Sequence, residues 1–321
     1  MFYDQKSKCV ILDGVDTNHD YFEIDNVTYQ AIPLDENSKK GLGINSSVFR
    51  AVREDGDEFE SLIVKVCNFA DENNNEKATR RRERFQREIE AMKLSLNHGK
   101  QNLVVSLKGT GCISVHHRWR DYNDRERRKD QTHQCFLMES ADLTLADYLS
   151  LELEISFQQR ILLCTELIRS VRALHEIGVY HRDIKPENVL RCAEGWKIGD
   201  LGLVRFRDDD SEAESREKIG PPRWMSPEAF NKAYCIQRPN NGYIDRQLDE
   251  RSDVYQLGKV CWHILQGDIP NGCLMSKDFV EGDDQIYGCI LKPMLRYQRT
   301  ERPLLSEIEN RLKPFMRKHS L

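Results

Sequence analysis

Apolar positions along this chain change period several times. Up to Val66 they come in short runs bounded by polar turns: Cys9-Val10-Ile11-Leu12, Tyr29-Gln30-Ala31-Ile32, a stretch through Ala51 and Val52, and Leu62-Ile63-Val64-Lys65-Val66. Runs of this length, rich in β-branched and aromatic residues, predict strands. From Ala78 to Leu96 the period turns helical, with Phe85, Ile89, Met92 and Leu96 three to four apart in a charged background, so a helix is predicted there. Strand-like runs return from Leu103 to Val115 and at Cys135-Phe136-Leu137-Met138. Phe157, Ile161, Cys164, Ile168, Val171 and Leu174 then form the stripe of a core helix. Val189-Leu190 and Trp196-Lys197-Ile198-Gly199 read as two short strands around a turn at Ala193-Glu194-Gly195. Residues 1 to about 34 read as an extension of short strands.

Composition narrows the classes. A chain of 321 residues with 31% charged residues and a net charge of −5 suits a soluble protein and argues against general nucleic-acid affinity. No run of about 18 uninterrupted apolar residues is present, and Met1-Phe2-Tyr3-Asp4-Gln5-Lys6 lacks the apolar core of a signal peptide. The ten cysteines show no C-x-x-C spacing, which points to neither a zinc site nor a disulfide framework. A reducing, cytoplasmic location is expected. The segment from His116 to His133 carries Arg118, Arg120, Arg125, Arg127, Arg128 and Lys129, but also Asp121, Asp124, Glu126 and Asp130; mixed signs predict a solvated hairpin rather than a nucleic-acid patch. Between Cys235 and Asp249, Pro239-Asn240-Asn241-Gly242 predicts an exposed turn.

The chemistry concentrates in His181-Arg182-Asp183-Ile184-Lys185-Pro186-Glu187-Asn188. An acid, a cation and an amide in one short loop form the set that phosphoryl transfer to a hydroxyl requires. Asp183 can accept the proton of an attacking alcohol, Lys185 can neutralise charge on the transferred phosphate, and Asn188 can offer an oxygen to a magnesium ion. Asp200-Leu201-Gly202 follows shortly, and Met225-Ser226-Pro227-Glu228 after it. Upstream, Gly41-Leu42-Gly43-Ile44-Asn45-Ser46-Ser47-Val48 precedes the strand that carries Lys65. Glycines in such a turn let backbone N–H groups approach phosphates.

Taken together these segments resemble the eukaryotic-type (Hanks-type) protein kinases of the serine/threonine class, over roughly residues 35 to 315. The resemblance implies an α+β, two-lobed protein-kinase fold: a small antiparallel β lobe with one long helix over 35–139, and a larger, mainly helical lobe over 140–321. It implies ATP and Mg2+ as cofactors and protein substrates as partners, with no specific nucleic acid and no membrane; it leaves oligomeric state open. Asp183 takes the place of the catalytic base and Lys185 of its phosphate-neutralising partner, while Asn188 and Asp200 take those of the metal ligands. Gly41, Gly43, Ser46 and Val48 match the phosphate-covering loop, Ile63 the residue over adenine, and Lys65 the lysine on the α- and β-phosphates. Glu88 is preferred to Glu90 as the acidic partner of Lys65. Met138 would gate the back of the adenine pocket, backbone groups of Glu139 and Ala141 would bond adenine, and Leu190 would line the nucleotide site. Glu228 is expected to pair with Arg302, and Asp253 to hold the catalytic-loop backbone.

Several positions depart from the family pattern. Ser46 replaces the third glycine, Ile63 an alanine, and Leu201 the phenylalanine after the metal aspartate. Pro221 stands where serine/threonine kinases commonly carry a threonine, which leaves the hydroxyl preference open. Two readings of function follow: a kinase that transfers the γ-phosphate of ATP to serine or threonine, or a pseudokinase scaffold that binds partners without catalysis. Presence of Lys65, Asp183, Asn188 and Asp200 favours the enzyme. The position of the usual activating phosphate is held by Glu217, with Asp208, Asp209, Asp210, Glu212 and Glu214 upstream. Carboxylates there could replace phosphate opposite Arg182 and Arg80, Arg81 or Arg82; Ser211 or Ser215 as a true switch is the alternative.

Overall fold

The computed structural model describes residues 1–12, 20–34, 41–54, 62–120, 123, 125–151, 154–209, 220, 222–234, 245–270, 272, 274–280 and 283–318. They divide into two compact units: Met1–Lys93 with Ser106–Ser140, and Leu94–Val105 with Ala141–Leu321.

The first unit is built from β1 (Phe2–Asp4), β2 (Cys9–Ile11), β3 (Tyr21–Ile24), β4 (Val27–Ile32), β5 (Ser46–Arg53), β6 (Leu62–Cys67), α1 (Glu76–Asn97), β7 (Leu107–Arg120) and β8 (Glu126–Glu139). Its strands make one sheet ordered β2-β1-β7-β8-β6-β5-β4-β3, antiparallel except where β1 runs parallel to β7. Alternation decides the faces: Ser47, Phe49 and Ala51 of β5 turn inward while Val48, Arg50 and Val52 do not. The inward side chains of Phe49, Ala51, Leu62, Val64, Val66, Ile113, Val115 and Leu137 form one apolar cluster with Met1, Val10, Phe22, Ile24 and Ala31. The N-terminal strands are therefore part of the core. The sheet curls far enough for β3 to cross β7, and glycines permit it. A Cβ on Gly109 would stand 2.8 Å from Ile24 Cγ2, and one on Gly111 2.9 Å from Ile24 Cγ1, inside van der Waals contact.

Two expectations need correction. Residues 103–105 do not begin β7, which starts at Leu107; Val104 instead bridges in parallel to Ile198. Leu96 ends the helical stripe exposed at 45%, whereas Phe85, Ile89 and Met92 are buried. Strands β1 and β3, too short for period to reveal, lay outside the sequence reading. The charged segment after Val115 is a hairpin: β7 and β8 stay paired out to Arg120 opposite Glu126.

Inside that hairpin two imidazoles meet, His117 Nε2 lying 2.9 Å from His133 Nε2. His133 Nδ1 sits 2.7 Å from Cys67 O, and Tyr3 stacks on His117 at 4.6 Å. Burial, and secondarily the neighbouring His133, push the His117 pKa down to about 4, with Glu72 and Asp130 opposing and Lys129 reinforcing. Burial also lowers that of His133. Because the unfolded chain takes up a proton near 6.5 that folded His117 refuses until about 4, stability is full above the unfolded value and declines as pH falls toward the folded one. Melting temperatures should therefore drop between pH 7 and 5, with a shallower slope in His117→Phe.

The second unit holds β9 (Leu143–Thr144), α2 (Leu145–Ser150), α3 (Phe157–Glu176), β10 (Val179–Tyr180), β11 (Val189–Cys192), β12 (Gly195–Ile198), β13 (Arg205–Phe206), α4 (Pro227–Tyr234), α5 (Glu250–Gln266), α6 (Asp284–Ile286), α7 (Lys292–Met294) and α8 (Leu305–Lys318). A wide turn over Tyr287–Leu291 joins α6 to α7. Ser156 caps α3 reciprocally with Gln159, and Asp249 caps α5, accepting from the N–H of Arg251. Helices α5 and α8 pack on α3, whose Ile161, Cys164, Ile168, Val171 and Leu174 are buried. No helix among the described residues is long and apolar enough to cross a membrane.

Candidate active site

In the first unit, strand register gathers the nucleotide candidates. Val48 lies opposite Lys65 and Arg50 opposite Ile63, while Lys65 lies opposite Phe136 and Ile63 opposite Met138. Side chains opposite one another, or two apart, share a face. Ser46, Val48, Ile63, Lys65 and Met138 thus line the face away from the apolar cluster. Lys65 and Glu88 meet there, Lys65 Nζ donating to both carboxylate oxygens of Glu88 at 2.7 and 2.9 Å. Both residues are buried, whereas Glu90 is exposed. Phe85 of α1 packs on Phe136 at 5.1 Å between ring centres, which sets the turn of α1 that reaches Lys65. Glu139 donates its backbone N–H to Ser106 O at 3.1 Å and accepts the Ser106 N–H at 2.6 Å, so its backbone donor is already engaged.

The Gly41–Val48 turn is closed by Val48 N–H to Gly41 O at 2.9 Å and Gly43 N–H to Ser46 O at 3.0 Å. Gly41 has φ +89°, and a Cβ there would stand 2.5 Å from Val48 O; only glycine fits.

In the second unit, the catalytic-loop candidate hangs from α5. Asp253, fully buried, accepts the N–H groups of His181 and Arg182, each at 2.7 Å, and lies 3.0 Å from His175 Nε2. Gln256 accepts the Ile184 N–H at 3.0 Å and donates to Arg182 O at 3.2 Å. His181 accepts the Asp183 N–H at Nδ1, 3.2 Å away, so its Nε2 carries the proton donated to Gly199 O at 3.0 Å. Gly199 N–H donates to Asn188 O at 2.9 Å. These bonds lock the loop to the residue preceding Asp200. Arg182 and Asp200 both hold left-handed backbone, φ 65° and 54°, a conformation that costs non-glycine residues about 1–3 kcal/mol and gathers at working sites.

Asp183 Oδ2 accepts from Lys185 Nζ at 2.8 Å and from Asn188 Nδ2 at 3.1 Å. Its Oδ1 is buried and has no partner among the described residues. Burial raises the Asp183 pKa above its ordinary value, against the lowering pull of Lys185. A lone pair without a partner among the described residues, on a raised-pKa carboxylate beside a fixed cation, is the arrangement of a proton acceptor. Asn188 spends its amide N–H on Asp183 O at 2.8 Å and on Oδ2, so the atom it has for a cation is its carbonyl. With the exposed Asp200 carboxylate, this is a hard-oxygen donor pair of the kind magnesium takes.

The sequence matches the protein kinase domain over residues 34–319. The chain belongs to the protein kinase family. It is 28% identical over 142 residues to the probable serine/threonine-protein kinase PknB of Lactococcus lactis, covering 44% of this chain and 21% of that protein. It is 31% identical over 137 residues to the serine/threonine-protein kinase PknB of Mycobacterium leprae, covering 42% and 20%. A CBL-interacting protein kinase of Oryza sativa is 31% identical over 148 residues, 44% of this chain and 26% of that one. The matched stretch is thus about a fifth to a quarter of these relatives' length.

Among the features of this kinase domain, the Glu228–Arg302 pair is present in full. Arg302 donates to both Glu228 oxygens at 2.7 and 2.9 Å, and its remaining donations go to the carbonyls of Arg296, Arg251 and Tyr297. Ser252 adds a bond to Glu228 at 2.7 Å. Every N–H of a fully buried guanidinium is used, so Arg302→Ala, which strands the Glu228 charge, should cost about 3–5 kcal/mol in urea unfolding. Gly220 comes close to Asp183: a Cβ there would lie 3.5 Å from Asp183 Oδ1, and its φ is +80°. Beside Lys185 a cavity of about 490 Å³ is lined by Glu187, Asn188, Arg223, Trp224 and His263. Leu190 is half-buried on β11 and Ala141 half-buried at the start of this unit.

Gln256 and His175 were missed from sequence. Each acts through a long-range bond, and local pattern carries no trace of that. Pro221, Ser211, Ser215 and Glu217 lie outside the described residues, so the idea of built-in activating charge stays an expectation. Two of its proposed cations are engaged elsewhere: Arg80 pairs with Glu76, and Arg82 donates to Ala70 O at 2.7 Å and Asn73 O at 2.6 Å.

Proposed function

We infer that this kinase transfers the γ-phosphate of ATP to serine or threonine hydroxyls of protein substrates in the cytoplasm. The observation that carries the reading is Asp183: one oxygen held by Lys185 and Asn188, the other buried without a partner among the described residues. Asp183 Oδ1 takes the proton as the substrate oxygen bonds to phosphorus and ADP departs. Lys185 neutralises charge on the transferring group, and Lys65, oriented by Glu88, holds the α- and β-phosphates. Asn188 and Asp200 would hold Mg2+, which when bound offsets charge on the β- and γ-phosphates. Val48, Ile63, Met138 and Leu190 would contact adenine, with backbone help from Glu139 and Ala141; Gly41, Gly43 and Ser46 would cover the phosphates. The relatives bearing serine/threonine-kinase names support the hydroxyl class.

Incubation with labelled ATP, magnesium and casein should yield labelled phosphoserine or phosphothreonine. Nucleotide binding with no transfer to any protein would point to the pseudokinase instead. The cavity beside Lys185 also carries Arg223, so two cations line it against the single carboxylate of Glu187. Acceptor peptides with acidic neighbours should consequently be phosphorylated faster than those with arginine neighbours, a preference that Arg223→Glu should weaken; a peptide panel at fixed ATP reads this directly.

A further inference from the structure

The Gly41–Val48 turn projects into solvent, with Gly43, Ile44 and Asn45 exposed and Ile44 at 78%. Its tip has no packing of its own, so its position depends on what grips its backbone. Two donors from outside the turn converge on Gly43 O: Asn68 Nδ2 at 2.6 Å and Cys9 Sγ at 3.3 Å, whose single S–H is shared with Ser7 O at 3.4 Å. Asn68 follows β6, three residues beyond Lys65, and is 2% exposed. Its Oδ1 accepts the Val10 N–H at 2.9 Å and the Ser47 hydroxyl at 2.9 Å. Its own backbone N–H donates to Asn45 O at 3.0 Å. One buried amide therefore ties together the turn, the strand that carries Lys65, and β2 of the N-terminal extension.

A buried amide bonded at both oxygen and nitrogen has a single orientation, and every neighbour it serves inherits that rigidity. We propose that Asn68 is a positioning residue for the nucleotide phosphates, fixing the Gly41–Val48 turn relative to Lys65, and that Cys9 and Val10 of the extension complete the brace. The proposal rests on the reading of this turn as a phosphate cover. Asn68 touches no nucleotide; it acts by reducing the freedom of the turn whose N–H groups do. Loss of the brace should thus appear in ATP affinity and hardly at all in turnover once ATP saturates.

The test uses the full chain and four variants, with ATP affinity from fluorescence titration, KM and kcat from transfer to casein, and amide exchange at Gly43 and Val48. Asn68→Asp keeps an acceptor for Val10 and Ser47 but sets a carboxylate against Gly43 O, so it breaks the tether while keeping the link to β2. It should weaken ATP binding about tenfold and raise KM for ATP equally, the scale of one lost buried hydrogen bond. Exchange at Gly43 and Val48 should quicken while kcat stays within about twofold of wild type. Cys9→Ala should weaken binding about two- to threefold, and Cys9→Ser, which keeps a donor, should restore it; this pair decides the matter if Asn68→Asp does not fold. Wild-type affinity in both Asn68→Asp and Cys9→Ala, or a fall in kcat at unchanged KM, overturns the proposal. Gly41→Val separates the two ways of failing. If it weakens ATP binding while the brace variants do not, the phosphate cover stands and the brace is wrong. If it too binds ATP normally, the phosphate cover itself is wrong.

Discussion

Asp183→Asn should lose most phosphate transfer, by about 10²–10⁴-fold, while binding nucleotide nearly as well as the parent protein. The asymmetry follows from the bonds around the side chain. Asparagine can still accept from Lys185 and Asn188 through one oxygen, so the loop that hangs from Asp253 and Gln256 keeps its anchors. What disappears is the basic lone pair of Oδ1, which has no partner among the described residues. The substitution also removes a charge that burial disfavours, so folding should be preserved. Single-turnover transfer and nucleotide titration on the same sample make the comparison, and near-parental transfer would reject Asp183 as the base.

Lys65→Met should abolish nearly all activity, and Glu88→Gln should lower it strongly while Glu90→Gln leaves it intact. The buried ammonium of Lys65 is held by two bonds to one carboxylate. Glutamine can accept only one and leaves the lysine charge without its counterion, a penalty that grows as solvent is excluded. Glu90 is exposed on another side of α1 and its charge is screened by water. Rates at several ATP concentrations distinguish lost phosphate orientation from simple unfolding, which melting curves would report. Damage in the Glu90 variant with a silent Glu88 variant would show that the pair seen here does not serve catalysis.

The residues of the candidate site were legible because they sit in short contiguous motifs. Asp183, Lys185 and Asn188 span six positions, and their spacing alone brings acid, cation and amide together. Glu88 could be chosen over Glu90 because helical period assigns the two to different faces. Strands β4, β5, β6 and the end of β8 were legible as short apolar runs bounded by polar turns. The scaffold around the motifs was not. Gln256 and Asn68 are ordinary amides in sequence, and their importance lies in bonds to residues 72 positions and 58 positions away. The His117–His133 contact likewise depends on register between β7 and β8, which no single strand reveals. Leu103–Val105 misled because a short apolar run looks the same whether it pairs with β8 or bridges to Ile198.

The core of the first unit bears on where this domain begins. The family match starts at residue 34, yet Met1, Val10, Phe22, Ile24, Tyr29 and Ala31 all belong to the apolar cluster. A protein cut at that boundary would be missing β1 to β4 and would leave the inner faces of Phe49, Ala51, Val64 and Ile113 in water. It would also bare one hydrogen-bonding edge of β5 and one of β7, which β4 and β1 now cover. Exposed apolar faces beside unpaired edges are the ordinary route to aggregation. The apolar cluster of the first unit thus reaches beyond the residues that the family match covers, and a protein cut at residue 34 is expected to aggregate where the full chain stays in solution.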